Sequence, residues 1–267
     1  MNVTTREAPL RDRVAIVTGG TGGIGSAVCL GLAREGAAVV VAGRRPPHVQ
    51  RTVDFLHATL PGASVVGVTA DVASEDDMQR LASTTVDRFG AIDILVTCAG
   101  ILTDDAGAGV RGLSDWTAAA WDAVMATNLT GVFLGNRAVI PAMTAQGQGD
   151  ILNLASTSGR RGQAYAAAYS ASKAGVIGFS ESLAEEVRTA GIRVQVAVIG
   201  PVRTAIWEQN RPVPPPERLL EPDSIAELVL FMLTRPRDTV LPGPVIAPFR
   251  TRRRPAWRAS GAAGVRA

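Results

Sequence analysis

Residues 14–36 read VAIVTGGTGGIGSAVCLGLAREG, and this stretch decides the architecture. Its first five residues, VAIVT, are apolar and largely β-branched, the pattern of a short strand buried on both faces. The glycines follow at once, and a helical pattern, SAVCLGLAREG, begins as they end. A glycine-rich turn between a strand and a helix N-terminus brings bare backbone N–H groups and partial positive charge to one point, which suits a diphosphate. The spacing is Gly-x3-Gly-x-Gly, which differs from the strict G-x-G-x-x-G dinucleotide fingerprint. Placement therefore carries the reading: Gly19, Thr21, Gly22, Gly23, Ile24 and Gly25 are the expected phosphate cradle.

Outward from this turn, short β-branched runs alternate with longer helical stretches. Strands are expected near 14–18, 38–42, 64–69, 92–98, 150–155 and 192–198, each buried on both faces. Helices are expected near 24–35, 49–59, 75–89, 114–145, 165–189 and 223–234, with a short strand near 244–247. Strand–helix alternation implies an α/β fold, a Rossmann-type doubly wound parallel sheet with helices on both faces. One domain over 1–247 accounts for it, followed by an Arg-rich, loosely ordered tail over 248–267. Five prolines between 211 and 222 exclude a regular helix there and leave an extended loop, read as a connector or a substrate lid.

The 267-residue chain carries a net charge of +3, but its last eighteen residues hold six arginines and no acid. The rest has 21 basic against 24 acidic residues, so no cationic face for nucleic acid is expected. Cys29 and Cys98 stand far apart in apolar segments, with no metal-ligating set around them, and read as free thiols of a reducing cytosol. No apolar run reaches the ~18 residues of a membrane helix, and the N-terminus lacks a signal-peptide core, so a cytoplasmic protein without a membrane partner is expected.

Three polar residues then converge. Ser156 closes the fifth strand, Tyr169 follows thirteen residues later, and Lys173 lies four beyond Tyr169 on an expected helix. Phenol and ammonium at i, i+4 share a face, and the C-terminal end of a parallel strand is where such sheets bind ligands. A nearby cation favours phenolate, so Tyr169 is expected to have a lowered pKa and to act as general acid or base, with Ser156 donating to a carbonyl oxygen. Tyr165 is expected on the same helical face but has no lysine at the matching offset. Lys173 is the single lysine among 27 basic residues, at a position where an arginine's forked, always-charged head would not serve. At the end of the second strand Arg44 and Arg45 stand where an NAD site has an acid. They suit the 2′-phosphate of NADP, or are simply solvated. Asp71 and Val72 close the third strand near an adenine edge, and Ala99 and Gly100 close the fourth with small residues against which a cofactor can lie.

TGGTGGIG, Asn128 within ATNLTGVF, Ser156 within NLASTSG, and Tyr169-Ser170-Ala171-Ser172-Lys173 together resemble the short-chain dehydrogenase/reductase family, single-domain type, over residues 12–234. The resemblance implies that Tyr169 exchanges the proton with substrate oxygen and that Lys173 also holds the nicotinamide ribose. It implies that Asn128 anchors a water relay, that Arg44 reads the NADP phosphate and that Asp71 contacts adenine. It further implies that Val202 and Thr204 meet the nicotinamide carboxamide, and that the chain forms a homodimer or homotetramer. NADP(H) is favoured over NAD(H). Thr97-Cys98-Ala99-Gly100 departs from the family's Asn-Asn-Ala-Gly, and Ile199-Gly200-Pro201-Val202-Arg203-Thr204 shifts its proline by two. The expected activity is NADP(H)-dependent hydride transfer between nicotinamide and a small-molecule carbonyl or secondary alcohol. The alternative is a catalytically idle dinucleotide sensor or scaffold, which would not need a polarised phenol.

Overall fold

The apolar runs become β1 (Val14–Thr18), β2 (Ala38–Gly43), β3 (Val65–Thr69), β4 (Ile94–Thr97), β5 (Gly149–Ser156), β6 (Ile192–Ile199) and β7 (Val245–Ile246). The structure is a computed structural model that describes residues 8–103, 112–210 and 214–249. The strands form one sheet in the order β3-β2-β1-β4-β5-β6-β7, every pairing parallel. Chain direction across the sheet therefore reverses between β1 and β4, and a crevice opens above their C-terminal ends.

Alternate residues of each strand serve opposite faces. Ala15 and Val17 join a core with α1 (Gly23–Arg34), α2 (Pro46–Thr59) and α8 (Pro222–Leu233). Ile16 joins a second core with α3 (Glu75–Phe89), α5 (Gly131–Gln146) and α7 (Ala167–Glu186). Burial on both faces holds for β1, β4, β5 and β6 but not for β3, where Val66, Gly67, Val68 and Thr69 are only partly buried or exposed. β3 is an edge strand and lacks a neighbour on one side, although α2 packs Val49 and Val53 against Gly67.

The single helix expected over 114–145 is three pieces. A 3₁₀ turn at Leu113–Asp115 precedes α4 (Ala118–Met125), and a five-residue π-turn, Ala126–Thr130, joins α4 to α5. Asn128 lies fully buried in that turn. The helix expected from residue 165 starts at Ala167, after a short α6 (Thr157–Arg160). Tyr165 therefore lies outside it, with φ +64° and 67% of its surface exposed, and does not share the face of Tyr169. The proline-rich connector begins in a 3₁₀ helix, Ala205–Asn210, and returns to pair Leu220 with Val202. Residues 211–213 of that connector, 104–111 of the loop after β4, and 250–267 of the expected tail lie outside the described residues.

Two polar networks fix the sheet. Thr97 Oγ1 donates to Asn153 Oδ1 (2.9 Å), while the Asn153 amide exchanges hydrogen bonds with Asn136 and donates to Ser180 Oγ (3.0 Å). Thr97, where the family has Asn, thus still ties β4 to β5 and, through Asn153, to α5 and α7. At the opposite end of the strands, Asp150 accepts from Arg193 Nε and Arg13 Nη2, both at 2.7 Å, with Arg237 at 3.5 Å. Arg193 also donates to the carbonyls of Leu233, Pro236 and Thr239, which anchors the end of α8. Replacing Arg193 with Met should destabilise the chain by about 2 kcal/mol. That is below the ~3–5 kcal/mol typical of a broken buried pair, because Arg13 and Arg237 still face the carboxylate. Urea midpoints of the two proteins at pH 7 measure it.

Candidate active site

The first site element is the turn between β1 and α1. Gly19 has φ +65°, a left-handed conformation that disfavours any side chain, and a Cβ there would lie 2.6 Å from the Ala99 amide nitrogen. A Cβ at Gly25 would collide with the Gly19 carbonyl oxygen. These two glycines pack backbone on backbone, whereas Gly22 and Gly23 are exposed. Gly22 caps α1 without any side-chain hydrogen bond, and no acid occupies the first turn. The N–H groups and positive dipole end of α1 are thus presented to an anion rather than to the protein's own carboxylates. This cradle fits a dinucleotide diphosphate.

Neighbouring strand ends enclose it. Thr21 sits on Gly43, whose Cβ would be 2.8 Å from its methyl carbon, so Arg44 and Arg45 begin beside the turn and are exposed. Arg45 is also the N-cap of α2. Asp71 Oδ1 accepts from Ala73 N (3.0 Å), and its own N–H donates to Asp77 Oδ2 (2.8 Å). The Asp77 carboxyl is held below its usual range, first by that backbone donor and then by Arg80. Val72 directs its side chain at Gly131, so only its backbone is left for a cofactor. On the other flank, Thr204 touches Gly23, and Val202 is buried with its carbonyl accepting from Trp207 Nε1 (2.8 Å).

Ser156, Tyr169 and Lys173 meet above β5. Ser156 Oγ accepts from Ser158 N (3.2 Å) as it caps α6, which leaves its proton free to donate elsewhere. Lys173 is buried, with Nζ 5.9 Å from the Tyr169 ring centroid and donating to the Leu154 carbonyl (3.0 Å). Both side chains thus occupy one helical face, as i, i+4 spacing requires. Gly100 adjoins them: a Cβ on it would be 3.7 Å from Lys173 Nζ and 3.4 Å from Asn128 Oδ1.

The Tyr169 titration differs from the sequence expectation. Burial pushes its phenol above the ordinary value, and the Ser156 hydroxyl only partly opposes this. Desolvation of phenolate is the larger effect, and the same burial lowers Lys173 to about 8. The arrangement keeps Tyr169 protonated at neutral pH and ready to act as an acid. Cys98, at the family's asparagine position, is pushed up to about 12 by burial despite the opposing ammonium of Lys173, so it stays a neutral thiol.

Asn128 does not point into the crevice. Its Oδ1 accepts from Ile101 N (2.8 Å), and its Nδ2 donates to the Ile101 carbonyl (2.9 Å) and to Ser172 Oγ (3.1 Å). Ser172 in turn donates to the Tyr169 carbonyl (2.8 Å). Ser172 carries no spacing that singles it out in the sequence; a small hydroxyl directly before the lysine is its one signal. A cavity of about 680 Å³ between α7, β6 and residues 237–243 includes none of Ser156, Tyr169 and Lys173 and is separate from this site.

The family model for short chain dehydrogenases matches residues 13–214. The chain is a short-chain dehydrogenase/reductase. It is 38% identical to an acetoacetyl-CoA reductase of Allochromatium vinosum, over 82% of this chain and 90% of the relative. It is 36% identical to a 3-oxoacyl-[acyl-carrier-protein] reductase of Synechocystis sp., over 88% and 94%. Among solved structures it is similar to an actinorhodin polyketide ketoreductase with NADPH (TM-score 0.79, 32% identity, 88% of this chain and 95% of the other). It is also similar to levodione reductase (TM-score 0.81, 31% identity, 89% and 96%). This short-chain dehydrogenase/reductase is thus an oxidoreductase of a family that binds nicotinamide dinucleotides. Among its described residues no helix is long and apolar enough to cross a membrane, and no group of His, Cys, Asp and Glu is set to hold a metal ion.

Proposed function

We propose that the chain is an NADP(H)-dependent carbonyl reductase acting on small-molecule ketones or aldehydes. The observation that carries this reading is the meeting of Ser156, Tyr169 and Lys173 at the end of β5, beside the glycine turn. When bound, the reduced nicotinamide supplies hydride to the carbonyl carbon. Ser156 donates a hydrogen bond to the carbonyl oxygen as charge develops there, and Tyr169 delivers its proton to the same oxygen. Lys173 stabilises the resulting phenolate and holds the nicotinamide ribose. The π-turn breaks the regular helical ladder at Asn128, and that residue's amide is committed to Ile101 and Ser172. Its backbone carbonyl is then the group that holds a water leading toward Lys173.

Arg44 and Arg45, with no acid at the end of β2, support NADP over NAD, and preference for NADP favours reduction. Ala99 and Gly100 give the nicotinamide half a flat backbone wall, with Val202 and Thr204 on its far side. Homodimeric or homotetrameric assembly and a cytoplasmic setting complete the proposal; the free thiols of Cys29 and Cys98 fit a reducing compartment.

The test is a panel of aldehydes, 3-ketoacyl esters, quinones and cyclic ketones with NADPH and NADH, read as loss of reduced-nicotinamide absorbance. Cofactor binding without turnover anywhere in the panel would select the sensor alternative. Arg44→Ala should raise the KM for NADPH by about tenfold, one charge-assisted phosphate contact, and leave that for NADH within twofold. Equal losses for both cofactors would remove Arg44 from the phosphate site.

A further inference from the structure

Residues 101–103 lie in the loop that follows β4 beside the crevice, and distant side chains accept from their backbone N–H groups. Ile101 N donates to Asn128 Oδ1, while Leu102 N (2.9 Å) and Thr103 N (3.3 Å) both donate to one atom, Gln209 Oε1. Gln209 belongs to the 3₁₀ helix Ala205–Asn210 beyond β6, more than a hundred residues away in sequence. Sheet order gives this contact its meaning. β5 lies between β4 and β6, which are therefore about 10 Å apart at two inter-strand spacings. A side chain from the segment after β6 that reaches the segment after β4 bridges the two strands flanking β5, whose end carries Ser156.

We infer that Gln209 is a latch that closes the roof of the substrate site and sets access of the carbonyl compound to Ser156 and Tyr169. The inference rests on the reductase reading above and deepens it. Both ends of the latch are fixed. On the β6 side, Trp207 Nε1 ties the 3₁₀ helix to the Val202 carbonyl, and Arg203 N donates to the Leu220 carbonyl (2.8 Å). On the β4 side, Ile101 is clamped by both ends of the Asn128 amide, which continues through Ser172 Oγ to the Tyr169 carbonyl. Gln209 thus acts as a positioning residue, joining the wall beside the nicotinamide half of the crevice to the helix that carries the acid. The amide oxygen is the active part, because it accepts from both N–H groups and an apolar side chain would take that acceptor away.

The experiment uses Gln209→Leu, which keeps the bulk and loses the acceptor, and Gln209→Glu, whose carboxylate accepts both N–H groups. In Gln209→Leu the KM for the carbonyl substrate should rise about tenfold, with kcat within threefold and NADPH affinity within twofold, and Gln209→Glu should restore the KM. Hydrogen exchange of the Leu102 and Thr103 amides reads the latch without turnover: slow in the parent and in Gln209→Glu, faster in Gln209→Leu. An unchanged KM, an equal loss of cofactor affinity, or a Glu variant as impaired as Leu overturns the inference. Fast exchange of the two amides in the parent overturns it whether or not any variant folds. A parent that reduces no carbonyl defeats the reductase reading instead, and the exchange data still decide the latch.

Discussion

Tyr169→Phe loses carbonyl reduction by about a thousandfold while NADPH affinity stays within twofold. The substitution removes one oxygen and keeps the ring, so the packing of α7 and the ammonium 5.9 Å from the ring centroid persist. What disappears is the proton that must reach the carbonyl oxygen as hydride arrives, and general acid catalysis of this kind contributes about 10²–10⁴ in rate. Ser156 cannot take over, because an alcohol is a far weaker acid than a phenol. The comparison is of single-turnover rates at saturating NADPH, with cofactor affinity followed by nicotinamide fluorescence. A variant within tenfold of the parent would mean that the proton comes from elsewhere.

Lys173→Met separates activity from stability. Turnover should fall about a hundredfold or more, since the phenolate loses its stabilising charge and the ribose its donor. Stability should move the other way. The ammonium is buried, and its pKa is lowered from 10.5 to about 8, chiefly by desolvation. Between those values the unfolded chain binds the proton and the folded chain does not, so the parent gains stability as pH rises through that window. Below pH 8 it carries the whole penalty, about 3 kcal/mol. Methionine removes the penalty but leaves the Leu154 carbonyl without its donor, so the net gain at pH 7 is about 2 kcal/mol. The gain vanishes at about pH 10, where the shrinking penalty no longer exceeds the lost hydrogen bond. Urea unfolding of both proteins at pH 7 and pH 10 reads this directly; a variant less stable than the parent at pH 7 would show that the lysine is not a strained charge.

Much of this site was legible in the chain because its chemistry is local. Glycines between a strand and a helix, an i, i+4 phenol and ammonium, and a serine at a strand end each have a spacing that fixes their geometry. The doubly wound parallel sheet followed from strand–helix alternation, and Ser156, Tyr169 and Lys173 meet where parallel strand ends require. What escaped the sequence reading depends on distant partners. Gln209 reaches Leu102 and Thr103 across more than a hundred residues, and no periodicity marks a glutamine for that task. The Asn153 network likewise joins β4, β5, α5 and α7, so Thr97 could be seen as a departure from the family but not as a working substitute. Tyr165 escaped for the opposite reason: its alanine-rich surroundings read as helix, whereas its own backbone adopts a left-handed turn. Tyr169 acidity was misjudged because counting charges omits the dehydration that surrounds them.

The π-turn at Ala126–Thr130 carries a last consequence. Each residue of an α-helix turns the chain by about 100°, so one residue beyond a regular repeat rotates α5 out of phase with α4. The front half thereby packs on α7 and the rear half, with Leu134, Val139 and Met143, on the sheet. The rod behaves as two independently indexed shafts joined by a coupling, so the seat of its front end on α7 can be adjusted without turning its rear end away from the sheet.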